Sequence, residues 1–323
     1  MTTRRTFIAA ASAAGLLWGR THSREVLAFY YGWYGNPKVS GQWAHWPEGA
    51  THQPLAGRYD SHDPKTVERI VNQAKSAGIT GFIVSWWRRA DFQDEGMPQM
   101  LTAADKAGLR ISIYYEVAKP RQAPGPQATE DDLVDILTRY ASHRAWLRAG
   151  NKPVVFVYGR AVNELHLSGW AEVISNVNRR FPGGVCFVGD EISAAAAKIF
   201  AGIHTYNPTS QTARLSIDEI RSWAQATYPR WVAAAGNRIS CVTVIPGYDD
   251  TKVNRPGPRP VTNRYGGETY RVLWQEAIAA RPDWILITSW NEWHEGSEIE
   301  PSQENGDREL IATGQFARNF TAR

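Results

Sequence analysis

Residues 63–86 read DPKTVERIVNQAKSAGITGFIVSW and contain one complete unit of the pattern that decides the fold. Asp63 reads as an N-cap, Pro64 takes the first helical position and Gly78 follows the last turn, which predicts a helix over Pro64–Ala77. Gly81–Trp86 follows at once, a short apolar run with β-branched and aromatic residues, and predicts a strand. Outward from this unit the same alternation recurs. Strands are expected near Val26–Tyr31, Arg110–Tyr115, Val154–Tyr158, Val185–Gly189, Gly202–Tyr206, Ser240–Ile245 and Trp284–Ser289. Helices are expected over Met97–Ala107, Glu130–Tyr140, Leu167–Arg180, Ser216–Ala226 and Glu268–Ala280, with Ile192–Ala201 a weak crossover. Strands alternating with helices imply a parallel sheet with right-handed crossovers. Eight such units in a chain of 323 residues suit a closed ring. No Gly-x-Gly-x-x-Gly follows the first strand, so a dinucleotide-binding open sheet is disfavoured. The expected fold is a single (β/α)8 TIM barrel with long βα loops at its C-terminal face.

Composition narrows the function. The chain is 43% hydrophobic and 21% charged, a globular balance that argues against disorder or a coiled coil. The formal charge is 36 − 32 = +4, and Arg4, Arg5 and Arg20 supply three of those charges within an acid-free start, leaving the body near neutral. With no basic stripe, a nucleic-acid partner is not expected. Cys186 and Cys241 each sit in an apolar run and read as buried core residues, not as a disulfide framework. Residues 1–23 read as a targeting segment: Arg4-Arg5, then Thr6-Phe7-Ile8 and a small apolar run, similar to a bacterial twin-arginine export signal. That run, about 11 residues, is shorter than the roughly 20 a membrane-spanning helix needs. The organisation expected is therefore an export signal over 1–23 and one catalytic domain over 24–323, with a periplasmic or secreted product and no transmembrane segment.

In a barrel, function gathers where the strands end. The first strand runs into Tyr30-Tyr31-Gly32-Trp33-Tyr34 and a loop with Trp43, His45, Trp46 and Glu48. Later strands end in Ser85-Trp86-Trp87, Tyr114-Tyr115-Glu116, Asp190-Glu191, His204-Thr205-Tyr206-Asn207 and Pro246-Gly247-Tyr248-Asp249-Asp250. The last ends in Ser289-Trp290-Asn291-Glu292-Trp293-His294-Glu295-Gly296. Fourteen tryptophans is a high count, and many fall beside carboxylates and histidines at these ends. Aromatic faces take the C–H faces of sugars, while Asp, Glu, Asn and His bond their hydroxyl rims, so the partner expected is an oligosaccharide or polysaccharide. Glycosidic cleavage needs two carboxyl groups, and Glu292 and Glu295 are the natural pair, facing one way if their segment turns helically. The neighbouring indoles of Trp290 and Trp293 are candidates to raise one carboxyl pKa. An acidic helix start is the bland alternative. Asp249-Asp250 lacks the further ligands of a calcium loop and His294-Glu295 is not part of a His-Glu-x-x-His zinc motif, so no metal or cofactor is expected.

The stretch from Ile287 to Pro301, ITSWNEWHEGSEIEP, closely resembles the signature of glycoside hydrolase family 99, the family of endo-α-1,2-mannosidases and endo-α-1,2-mannanases. Tyr30–Pro37 with His45-Trp46, Ser76–Ile79 through Ser85-Trp86, Tyr114-Tyr115-Glu116 and Pro246–Thr251 resemble further family motifs in the same order. The resemblance implies a retaining mechanism in which a carboxylate deprotonates the sugar's own 2-hydroxyl to form a 1,2-anhydro sugar. A second carboxyl protonates the departing oxygen and then activates water. By motif position Glu292 matches the base and Glu295 the acid/base. Tyr31, His45, Trp46, Glu48, Trp87, Tyr115, Glu116, Tyr206, Asp249 and His294 are the expected substrate contacts. The chain departs from the family's mannosidases at Trp87-Arg88-Arg89 and at Trp290. The two arginines read either as a solvated loop or as contacts to an anionic sugar. Trp290 is shared with proteins of surface-polysaccharide synthesis, which usually lack the following histidine; His294 favours the hydrolases. A non-hydrolytic glycan-binding or assembly protein on the same barrel, and the same chemistry on another glycan, are the alternatives.

Overall fold

The computed structural model describes residues 22–117, 125–254, 256–257 and 259–322. The expected export signal falls almost wholly on residues 1–21, outside the described residues. Eight parallel strands form the frame: β1 (Glu25–Tyr30), β2 (Gly81–Trp86), β3 (Arg110–Tyr115), β4 (Lys152–Val157), β5 (Cys186–Asp190), β6 (Gly202–His204), β7 (Ile239–Val244) and β8 (Trp284–Ile287). Each pairs in parallel with the next. The ring closes where Glu25 of β1 pairs with Trp284 of β8 and Ala28 with Ile287. The fold is the (β/α)8 barrel that the sequence predicts.

The strands are apolar on both faces because both are covered. Helices cover the outside. Inside, rings climb the axis: Trp284 lies against Phe156, Phe156 against His204, and His204 against Phe29 and Tyr114. Tyr206 and Tyr158 cap this column within about 6 Å of Tyr114. The barrel is thus a filled core whose uppermost ring layer is also the floor of whatever lies above it. Cys186 and Cys241 are buried and unpaired, as the sequence suggests.

The helix Pro64–Ser76 begins as predicted, with the Asp63 carboxylate accepting from the amides of Lys65 and Thr66. Elsewhere the helices outrun the expectation. The helix expected from Met97 starts at Phe92 and carries Pro98 internally, and the one expected to stop at Ala226 runs from Ile217 to Ala235 through Pro229. In both, packing on the barrel outweighs the local penalty of proline. Leu167–Arg180 is the second part of Gly159–Arg180, kinked at His166. The weak crossover Ile192–Ala201 contracts to the turn Ala196–Ile199. There Phe200 lies so close to Gly189 that a Cβ on that glycine would come within 2.5 Å of the ring. A further helix, Arg308–Thr321, was not expected; it packs beside Glu268–Ala280 and bonds Tyr270 to Thr313.

Candidate active site

At the C-terminal mouth of the barrel a cleft of about 470 Å³ is lined by residues from the ends of β1, β2, β3, β4, β6 and β8. Its position follows from the fold: strand ends are held rigidly by the ladder while the loops between them vary. Nine of the expected residues line it: Tyr31, His45, Glu48, Trp87, Glu116, Tyr206, Glu292, His294 and Glu295.

The segment after β8 is laid down by bonds to β1. Asn291 accepts from the Tyr31 amide at 2.8 Å and donates to the Tyr31 carbonyl at 2.8 Å, while the Trp290 amide bonds the Phe29 carbonyl. The Tyr34 hydroxyl donates to the Asn291 carbonyl and accepts from the Trp293 amide. Held this way, Glu292 and Glu295 both face the cleft although residues 293–296 form a turn and not a helix. Trp290 and Trp293 are fully buried and do not line the cleft, Trp293 donating to the Tyr59 hydroxyl and Trp290 packing edge-on to Phe82. Their part is to fix the segment, not to surround a carboxyl.

The two carboxylates have different partners. Glu292 is buried; its amide is held by Ser289 Oγ at 2.7 Å and its Oε1 lies 3.3 Å from His294 Nδ1. His294 Nε2 meets the His45 carbonyl oxygen at 2.8 Å. Burial alone would lower the His294 pKa, but the hydrogen bond and charge of Glu292, with the His45 carbonyl, outweigh it and raise the pKa. His45 itself has its pKa lowered by burial, against the opposing charge of Glu48, 3.3 Å away. Glu295 accepts a hydrogen bond at Oε2 from the Tyr206 hydroxyl at 3.1 Å, and Tyr206 in turn accepts from Tyr31 at 2.6 Å. Its main-chain carbonyl takes the Asp249 amide at 2.7 Å.

A third carboxyl, Glu116, sits across the cleft and accepts from Ser85 Oγ at 2.9 Å. Burial pushes its pKa up to about 8, against the pull of the Ser85 hydrogen bond and the Arg160 charge, with Glu295 and Glu292 adding to the rise. At neutral pH Glu116 is mostly a neutral acid.

Three expected contacts are not at the cleft. Trp46 is 1% exposed and donates to the Tyr59 carbonyl, its ring packed on Tyr34. Tyr115 points outward from its strand, its hydroxyl on Asp132 and its ring between Trp86 and Trp170, because neighbours on a strand face opposite sides and Tyr114 takes the inner one. The Asp249 side chain turns back onto Thr251, capping its own loop. Conversely, Trp33, Tyr114, Tyr158, Arg160 and Val253 line the cleft and were not singled out. Tyr114, Tyr158 and Trp33 stood at or just beyond predicted strand ends, which was signal enough; nothing in the sequence marked Arg160 or Val253.

Comparison with known proteins places this geometry. The model of glycosyl hydrolase family 99 matches residues 48–309. The chain is 26% identical to the glycoprotein endo-alpha-1,2-mannosidase of Rattus norvegicus over 85% of its own length and 67% of the relative's. It is also 26% identical to the Homo sapiens glycoprotein endo-alpha-1,2-mannosidase-like protein, over 85% and 68%. Among solved structures, a GH99 endo-alpha-mannosidase from Bacteroides thetaiotaomicron superposes with a TM-score of 0.78 at 25% identity, covering 92% of this chain and 98% of that one. A (β/α)8 barrel with carboxyl groups and aromatic rings meeting at its mouth, in this company, is a glycoside hydrolase. The chain belongs to glycosyl hydrolase family 99.

Proposed function

We propose that the protein is a retaining, endo-acting hydrolase of α-mannoside linkages that works through the substrate's own 2-hydroxyl, and that it acts outside the cytoplasm after export. The observation that carries the reading is the separate provision made for Glu292 and Glu295 in one cleft: the first against a histidine, the second against a phenol. A base needs a partner that can meet its charge, and His294 Nδ1 stands 3.3 Å from Glu292 Oε1. Glu292 then takes the 2-hydroxyl proton as that oxygen attacks the anomeric carbon. Glu295 gives its proton to the departing glycosidic oxygen, and the Tyr206 hydroxyl donates to the oxyanion that results. In the second half Glu295 draws a proton from water, which opens the 1,2-anhydro ring from the opposite face, and Glu292 returns its proton to O2. Two displacements at the anomeric carbon restore the α-configuration. The axial 2-hydroxyl of mannose can stand anti to an α leaving group, which is the geometry the first step needs. The relatives named for mannosidase activity support the sugar.

The test is incubation with α-mannans and α-mannosyl oligosaccharides, with products followed by NMR. An α-configured new reducing end on a released oligosaccharide is expected; a β product, or turnover of a 2-O-methyl substrate at the normal rate, would overturn the mechanism.

A further inference from the structure

Arg160 is the second residue of the helix Gly159–Arg180 that follows β4, on the wall of the barrel opposite β8. Its guanidinium carbon lies 5.2 Å from the centre of the Trp87 ring and 5.6 Å from that of Tyr158. Trp87 is itself fixed, its Nε1 donating to Ser85 Oγ at 3.1 Å. All three side chains line the catalytic cleft, and Arg160 is the single arginine or lysine among the described residues that does. Packing on ring faces uses the flat side of a guanidinium and leaves its in-plane N–H donors available. Among the described residues no hydrogen bond or ion pair engages those donors. The cations that the sequence places beside Trp87 are by contrast taken up, Arg88 by Asp91 at 2.9 Å and Arg89 by Asp135 at 3.1 Å.

We propose that the wall made by Trp87, Tyr158 and Arg160 is a subsite for a sugar residue bearing an acidic substituent, a carboxylate or a phosphate, whose oxygens take the free edge of the Arg160 guanidinium. The ring faces hold the sugar and fix the cation without neutralising it, and planar paired donors suit a two-oxygen anion better than scattered hydroxyls. The lining carboxyl whose charge is felt from Arg160 is Glu116. Because burial pushes that group up to about 8, it leaves Arg160 largely uncompensated at neutral pH. The remaining lining carboxylates, Glu48, Glu292 and Glu295, repel an anion from the other walls and so fix which end of the substrate carries it. The proposal rests on the cleft being the glycan site, and deepens that reading by naming the substituent.

The experiment uses matched α-mannosyl oligosaccharides that differ at one position only: unmodified, phosphorylated at O6, or oxidised there to a uronic acid. Binding is measured by calorimetry on the full-length Glu295→Gln variant, and turnover on the wild type. The expected result is about tenfold tighter binding of at least one charged form over the neutral one, shrinking as salt rises. Arg160→Ala should cost the charged form at least about fivefold more than the neutral form, and Arg160→Lys should restore only part of the difference. Phosphate preferred over uronate, or the reverse, identifies the source of the oxyanion. Equal binding of all three sugars, or equal losses on Arg160→Ala, would overturn the proposal and make Arg160 a hydroxyl donor. Failure of the underlying reading looks different: none of the three is hydrolysed by the wild type, whatever Arg160 does to binding.

Discussion

His294 stands 3.3 Å from Glu292 through Nδ1 while its Nε2 is 2.8 Å from the carbonyl oxygen of His45. A carbonyl only accepts, so Nε2 carries a hydrogen in every charge state of the ring. The neutral ring therefore turns a lone pair toward the Glu292 carboxylate, and only the imidazolium offers a second N–H there. The backbone of one histidine thus makes the charged form of the other the one that can donate to Glu292. His45 adopts φ 59° to present this carbonyl, an arrangement of the kind that costs about 1–3 kcal/mol and is found where geometry serves function.

The first prediction concerns that pair. His294→Gln can satisfy the His45 carbonyl but brings no charge to Glu292, so kcat/KM should fall on the order of 10- to 100-fold. The pH profile is the discriminating readout. Because the His294 pKa is raised in the folded protein, the contact with Glu292 is fully present below the ordinary histidine range and is lost as pH rises through the raised value. An alkaline limb of kcat/KM belonging to this histidine should vanish in the variant. An unchanged limb would place it on another group.

Glu295→Gln should lose about 10²- to 10⁴-fold in kcat on unactivated glycans while still binding them. Substrates with very good leaving groups should lose less, because bond breaking then needs little protonation. Equal losses on both classes would remove the acid role from Glu295.

Glu116 makes a prediction about stability. Its pKa is raised above that of an unfolded glutamate to about 8, so its folded-state stabilisation is present below the ordinary carboxylate range and is lost as pH rises toward 8. Glu116→Gln keeps a group that can accept from Ser85 and cannot ionise. The variant's Tm should therefore gain on the wild type progressively between pH 5 and about 8, as followed by calorimetric melting. A constant Tm difference across that range would show that Glu116 is ionised throughout.

Asn291→Leu strips both bonds from the buried Tyr31 backbone at once. Unsatisfied buried amides and carbonyls cost about 1–3 kcal/mol each, so a loss of about 2–6 kcal/mol is expected in denaturant melts. The damage should also reach catalysis, since the same bonds set Glu292.

The framework was legible in the sequence because its signals are local. Gly81–Trp86 and Arg110–Tyr115 fall where the apolar runs put them, and the Asp63 cap opens its helix as read. Helix extents were less legible: the helices that carry Pro98 and Pro229 run longer than read, because contacts distant in the chain decide how far a helix extends. The helix Arg308–Thr321 escaped notice for a similar reason: Gly314 weakens its pattern, and what holds it is packing distant in the chain, where Gly78 closely approaches Ala317. At the site, Glu292, Glu295 and His294 could be found from one contiguous motif. Tyr115 was taken for its neighbour Tyr114, since period-two alternation does not say which face is inward. Arg160 was invisible because its meaning lies in what it touches, Trp87 and Tyr158, and in the absence of a carboxylate partner among the described residues.

The meeting of β1 and β8 carries a consequence for timing. The first and last strands of the ring join through pairs such as Ala28 with Ile287, and the Asn291 bonds to Tyr31 continue that join into the segment that carries Glu292 and Glu295. Glu292 and Glu295 lie beyond this join, so a chain folded only as far as β7 has neither the seam nor these two carboxylates in place. The cleft therefore holds both carboxylates only once the two ends of the ring have met.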